Sequence, residues 1–140
     1  MSSQNFFEQI RKDKAELIGL QFTDLPGVIK EVIVPINELR KALPNGIWFD
    51  GSSVEGFARI QESGLFLKPD TATYSVIPWL IENGKTARLI CDIFRPDRKP
   101  FEGDSRFILK KMIAEANKIG FHYNVGPEPD PPRHGKRWLN

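Results

Sequence analysis

An α+β fold, a mixed sheet of about five strands with one main helix packed across it, is predicted by three observations. Two pairs of strand-like runs are each joined by a turn of hairpin chemistry. The longest helical pattern, with an apolar stripe from Ile108 to Ile119, follows the second pair. The 140 residues suffice for one domain with a real core and are too few for two of ordinary size.

Ser3 can cap a short first helix in which Phe6, Phe7 and Ile10 recur at helical spacing. Glu16 to Phe22 alternates as a strand, with Ile18, Leu20 and Phe22 on one face. Asp24-Leu25-Pro26-Gly27 has tight-turn chemistry, since proline presets one dihedral and glycine accepts the positive one. Val28 to Pro35 then returns as a β-branched strand, making a hairpin. Asn37 caps a helix of one to two turns through Leu43, which Pro44-Asn45-Gly46 stops.

Next comes Phe49-Asp50-Gly51-Ser52-Ser53-Val54-Glu55-Gly56-Phe57, an acid, two hydroxyls and two glycines between apolar anchors with neither strand nor helix period. Such a segment presents groups instead of packing them. Leu65 to Leu67 is a short extended piece. Thr73 to Ile81 and Thr86 to Phe94 form a second hairpin around Asn83-Gly84. Asp104 or Ser105 caps the long helix, whose stripe of Ile108, Leu109, Met112, Ile113, Ala116 and Ile119 is expected to lie on the sheet up to Gly120. Phe121 to Gly126 is the next expected strand. Strands in this order with one main helix give a β-grasp-like pattern.

The composition excludes several classes. An apolar share of 40%, with 10 Phe and 3 Trp, belongs to a folded chain. No apolar run approaches membrane-spanning length, and the start lacks signal-peptide character, so a cytoplasmic location without a membrane is expected. The single cysteine, Cys91, shares a strand face with Ala87, Leu89 and Ile93 and reads as a buried small hydrophobe. The net charge of +2 stems from a tail holding Arg133, Lys136 and Arg137 and no acid; the body has no basic face for a phosphate backbone, so no nucleic-acid partner is expected.

Four separated stretches, FTDLPG from Phe22, FDGSSVEGFARI from Phe49, the group LKPD, CDIF and PFEGDSR between Leu67 and Arg106, and GPEPD from Gly126, resemble the amino-terminal domain of glutamine synthetase in order and at that family's spacing. The resemblance spans about Gly19 to Asp130. It implies a β-grasp fold, a cytoplasmic, homo-oligomeric ring and partners that are other glutamine synthetase subunits. The reaction implied is ATP-dependent phosphorylation of glutamate, followed by attack of ammonia on the acyl phosphate.

By the same resemblance Asp50 enters a neighbouring subunit's site, binds ammonium and helps take its proton. The chemistry suits a carboxylate, because an anion concentrates the cation and can accept the proton that makes ammonia nucleophilic. Ser53 either orients this loop and bonds at the same site or caps its own backbone. Glu128 and Asp130, two apart, would share one strand face, and their hard oxygens suit Mg2+ or Mn2+. The resemblance implies that they are metal ligands, Asp130 standing one methylene short of the family's glutamate.

The match ends abruptly. Pro131-Pro132-Arg133-His134-Gly135-Lys136-Arg137 replaces the apolar strand of the family, and adjacent prolines do not sit in a central strand. Residues 1–130 are therefore expected to form the domain, and 131–140 an unrelated, basic, disordered tail of frame-shifted character. The remaining metal ligands and the ATP surface of the family lie in a further domain. A chain without it is expected to bind neither ATP nor metal tightly and to be inactive alone. The alternative is a free-standing, non-catalytic module that binds or regulates intact synthetase rings. Smaller departures are Gly64 in place of the family's usual aspartate, Arg98 in place of a turn glycine and Ser105 in place of proline.

Overall fold

The computed structural model describes residues 3–54, 64–79 and 85–127. Its elements run α1 (Ser3–Asp13), β1 (Ala15–Thr23), β2 (Ile29–Pro35), α2 (Ile36–Asn45), β3 (Ile47–Asp50), β4 (Gly64–Pro69), β5 (Ser75–Val76), β6 (Lys85–Phe94) and α3 (Ser105–Lys118). The mixed α+β sheet has the order β2-β1-β6-β4-β3, with β5 also paired to β6. β1 and β6 run parallel at its centre, and every other pair is antiparallel. The long connection from β1 to β6 is what lets two parallel strands lie side by side.

Alternation in the strands decides which face is covered. Ile18, Leu20 and Phe22 of β1, Leu65 and Leu67 of β4, and Ala87, Leu89, Cys91 and Ile93 of β6 all point to one buried side. There they meet Phe6 and Ile10 of α1 and Leu39 of α2. Phe6 stacks edge-on to Phe7 and to Tyr74, and the Arg40 guanidinium of α2 lies 4.2 Å from the Phe7 ring, which ties the two helices together. Cys91 is buried, as its strand face implies, and burial raises its thiol pKa, so it stays protonated and packs as a hydrophobe.

The first hairpin closes through Asp24. Its backbone N–H donates to the Val28 carbonyl at 3.0 Å, and its buried carboxylate accepts from the Val28 N–H at 2.6 Å. Asn37 is not the cap of α2, since the helix begins one residue earlier, directly after Pro35. α2 ends at Asn45 and is followed by Gly46, whose φ of +76° is open to glycine with little strain and whose missing side chain leaves room for the Leu67 carbonyl.

Two expectations fail in an informative way. The sheet is covered by α1 and α2, whereas α3 buries none of its residues; Leu109, Met112 and Ile119 are at least half exposed. Periodicity identifies an apolar stripe but not the surface that it meets. Residues 121–126 form no strand, because no described strand offers them a ladder. Residues 80–84, which include the Asn83-Gly84 turn, and the tail 131–140 lie outside the described residues.

Candidate functional site

β3 is an edge strand of four residues that the sequence alone does not reveal, since Phe49 opens a stretch with neither strand nor helix period. It pairs with β4 in the register Ile47↔Leu67, Trp48↔Phe66, Phe49↔Leu65 and Asp50↔Gly64. The pleat sends Phe49 inward, against Phe22 at 4.9 Å between ring centroids, and leaves Trp48 and Asp50 outward. Asp50 is thus the exposed last residue of a strand whose preceding residue is anchored in the core.

From that position Asp50 starts a single 3-10 turn, Gly51–Ser53. One carboxylate oxygen accepts the Ser52 N–H at 2.9 Å, and the Val54 N–H closes on the Gly51 carbonyl at 3.0 Å. The turn therefore has its own internal cap, and that cap fixes the direction of the Asp50 carboxylate. Ser53 ends the turn, and buried Val54 pins its far side to the core. Asp70 repeats the device, accepting the Ala72 N–H at 3.0 Å above the turn Thr71–Thr73.

The outward face of β3 and β4 carries Trp48, Asp50, Gly64, Phe66 and Lys68. Trp48 is 60% exposed, and a β-carbon added at Gly64 would stand 2.9 Å from its indole nitrogen. Arg98 reaches back from the loop after β6, lying 4.7 Å from the Phe66 ring and donating to the Asn45 carbonyl that ends α2. It does so at a φ of +65°, the left-handed conformation for which glycine is favoured, so the contacts it makes offset that local strain.

A second polar cluster, which sequence reasoning missed, fastens α3. The Asp104 carboxylate accepts from the Arg106 N–H and from the Ile93 N–H, both at 3.0 Å. Arg106 then bridges Asp70 at 2.6 Å and Asp92 at 3.1 Å, and Lys110 binds Asp92 at 2.7 Å. Hydrogen bonding from Arg106 holds the Asp70 carboxyl below the usual carboxylate range, while burial raises that of Asp104 against the pull of its two N–H donors. The sequence signal was the charge pattern Asp70, Asp92, Arg106 and Lys110, and only the register of β4 with β6 brings it together.

Glu128 and Asp130 lie outside the described residues, as does Phe57. Among the described residues no three His, Cys, Asp or Glu side chains converge on a point that could hold a metal ion. The described residues therefore do not by themselves fit a metal centre. No helix among the described residues is long and apolar enough to cross a membrane.

A mixed sheet with parallel central strands, two covering helices and an acid-bearing turn at its edge defines a β-grasp domain that presents a carboxylate. Residues 14–96 match the family model described as the glutamine synthetase β-grasp domain. The chain belongs to that family. It is 48% identical over 128 residues to the glutamine synthetases of Staphylococcus aureus (strain Mu50 / ATCC 700699) and Staphylococcus epidermidis (strain ATCC 35984), covering 88% of this chain but 29% of each relative. The chain thus spans less than a third of the length of these relatives. Among solved structures, Plasmodium falciparum glutamine synthetase shares the fold with a TM-score of 0.75 at 24% identity, over 86% of this chain and 23% of that one. The GmaS–ADP complex superposes with a TM-score of 0.71 at 25% identity, over 80% and 25% of the two chains.

Proposed function

We propose that this domain supplies the Asp50 turn to the catalytic site of a neighbouring glutamine synthetase subunit, where the carboxylate binds ammonium and takes a proton from it. The observation that carries the reading is the position of Asp50. An exposed carboxylate ends an edge strand, is oriented by the Ser52 N–H, and is backed by the buried Phe49 and Val54. An edge turn with a fixed anion suits insertion into a partner's cleft, and a carboxylate both attracts ammonium and accepts its proton.

Under this reading the partners are glutamine synthetase subunits in a cytoplasmic ring, and glutamate, ammonium and ATP are substrates of the complete enzyme. Ser53 assists Asp50 in the turn. Glu128 and Asp130 contribute to holding Mg2+ or Mn2+, ions that would neutralise phosphate charge in the complete site. The matched region is less than a third of the relatives' length, and in this reading the ATP surface lies outside it, so the chain alone is expected to perform no turnover. Residues 1–130 act as the domain and 131–140 as an appended tail.

The test is co-expression of the chain with a Staphylococcus aureus glutamine synthetase polypeptide lacking the matched region. Glutamine formation that needs ATP and ammonium is expected from the pair and from neither part alone. Asp50→Asn, which keeps the acceptor for Ser52 but removes the charge, is expected to abolish it while assembly persists. Turnover by the isolated chain would overturn the claim of incompleteness, and full activity of the Asp50→Asn pair would overturn the role of Asp50.

A further inference from the structure

Lys68 and Arg98 stand over two neighbouring rings on the outward face of the sheet. Phe66 of β4 and Phe94 of β6 are ladder partners, which puts their β-carbons about 5 Å apart. The Arg98 guanidinium lies 4.7 Å from the Phe66 ring centroid, and the Lys68 ammonium 5.3 Å from that of Phe94. A cation drawn to a ring face does not spend its N–H donors on an acceptor, so both heads keep donors to offer. These four side chains, with Pro44 and Gly46 at the end of α2, line an open cavity of about 230 Å3.

None of the described residues lining this cavity is acidic. The nearby acids are engaged elsewhere. Asp92 is the ladder partner of Lys68, but its carboxylate is bound by Arg106 at 3.1 Å and by Lys110 at 2.7 Å. Asp97, beside Arg98 in the chain, turns to Lys99, accepting its backbone N–H at 3.1 Å and meeting its ammonium at 3.5 Å. Arg98 donates through one terminal nitrogen to the Asn45 carbonyl, which offsets the negative end of α2 and leaves the rest of the guanidinium fork open. Its backbone is also held where a side chain is disfavoured, at a φ of +65° in a loop closed by two 2.9 Å bonds, Arg95 N–H to the Lys99 carbonyl and Arg98 N–H to the Arg95 carbonyl. Strain of this kind collects at binding sites, where the task of the side chain offsets it.

From these observations we propose that Lys68 and Arg98 form an anion site that takes the phosphate group of a small phosphomonoester. Such a group carries nearly two negative charges and three acceptor oxygens, which two separate cations can share, whereas one carboxylate is satisfied by an arginine fork alone. The cavity falls below the roughly 300–1,000 Å3 of sites for drug-sized ligands, so it suits a phosphate bearing a few carbons and not a nucleotide. The site uses no residue of the Asp50 turn, and it stands or falls independently of the function proposed for that turn.

The experiment titrates the full chain with methyl phosphate, and separately with inorganic phosphate, succinate and sodium chloride at matched ionic strength, following backbone amides by proton–nitrogen correlation NMR. Methyl phosphate is expected to give saturable shifts at Gly46, Lys68 and Arg98 that chloride does not reproduce. Arg98→Gly removes the guanidinium and relieves the positive φ, so the Tm is expected to hold while affinity for methyl phosphate falls by about tenfold or more. Lys68→Gln, at an exposed side chain, is expected to weaken binding in the same direction with the fold retained. Arg98→Lys keeps the charge without the fork and is expected to bind with intermediate affinity. Shifts that chloride reproduces would reduce the effect to screening and overturn the proposal. So would an Arg98→Gly chain that binds methyl phosphate like the wild type. Equal affinity for succinate would assign the site to carboxylates, and binding of inorganic phosphate without methyl phosphate would assign it to the free ion; either result overturns the phosphomonoester.

Discussion

Asp50 and Gly64 are ladder partners across β3 and β4, and the Trp48 indole occupies the space that a side chain at Gly64 would need. The glycine thus lets an exposed tryptophan fold over the strand next to the candidate site. Gly64→Ala would force the indole aside, and since Trp48 is largely exposed the move is cheap. The expected result is a change in tryptophan emission with stability altered by less than about 1 kcal/mol, and no emission change when the same substitution is made in a Trp48→Phe background. Gly64→Asp places a like charge directly opposite Asp50 and is expected to destabilise by up to about 1 kcal/mol in low salt and less in high salt. Equal urea midpoints in both salts would show that the two carboxylates do not sense each other.

Asp50 has a structural task as well as the proposed chemical one, and the two can be separated. Asp50→Ala removes the acceptor for the Ser52 N–H and is expected to cost about 1 kcal/mol, as for other cap deletions. Asp50→Asn retains an acceptor and is expected to unfold within about 0.5 kcal/mol of wild type. Urea denaturation followed by circular dichroism measures both. A large loss of stability in Asp50→Asn would mean that the charge itself holds the turn.

The order of strands and helices was legible because hairpin turns and helix stripes are local signals. Asp24 with Gly27, and Asp104 with Gly120, mark their boundaries in the sequence itself. β3 was not legible, because four residues are too few to show a period and Trp48-Phe49-Asp50 merges into the glycine-rich turn. The position of Asp50 was legible from the motif around it, but not its cap on Ser52 or its pairing with Gly64, which depend on the register of β4. The α3 stripe is legible in full, but the surface that it faces is not, since none of its residues is buried on the sheet. A periodic pattern encodes that a face is to be covered, and the cover must be read from what the rest of the chain leaves vacant.

Asp104 joins two elements with one carboxylate, capping α3 through the Arg106 N–H and bonding the Ile93 N–H of β6. Asp104→Ala leaves a buried backbone N–H of β6 unsatisfied and removes a helix cap, so a loss of about 2–4 kcal/mol is expected. Asp104→Asn keeps one acceptor and turns an amide N–H toward the other donor, and is expected to fall between the two. A loss below about 0.5 kcal/mol in Asp104→Ala would show that water replaces the carboxylate at both donors.

Two of these aspartates give stability opposite dependences on pH. Asp70 has its carboxyl pKa lowered, first by hydrogen bonding to Arg106, so its contribution is present above the usual carboxylate range and is lost as pH falls through the lowered value. Asp104 has its pKa raised by burial, so ionising it costs the folded state, and its effect is a loss of stability as pH rises through the carboxylate range. Asp70→Asn is therefore expected to lower stability at neutral pH by about 1 kcal/mol, while the gap to wild type closes as pH falls toward 3. Tm measured from pH 3 to 7 decides the point: a gap that stays constant over that range would mean that the Asp70–Arg106 contact contributes through shape and not through charge.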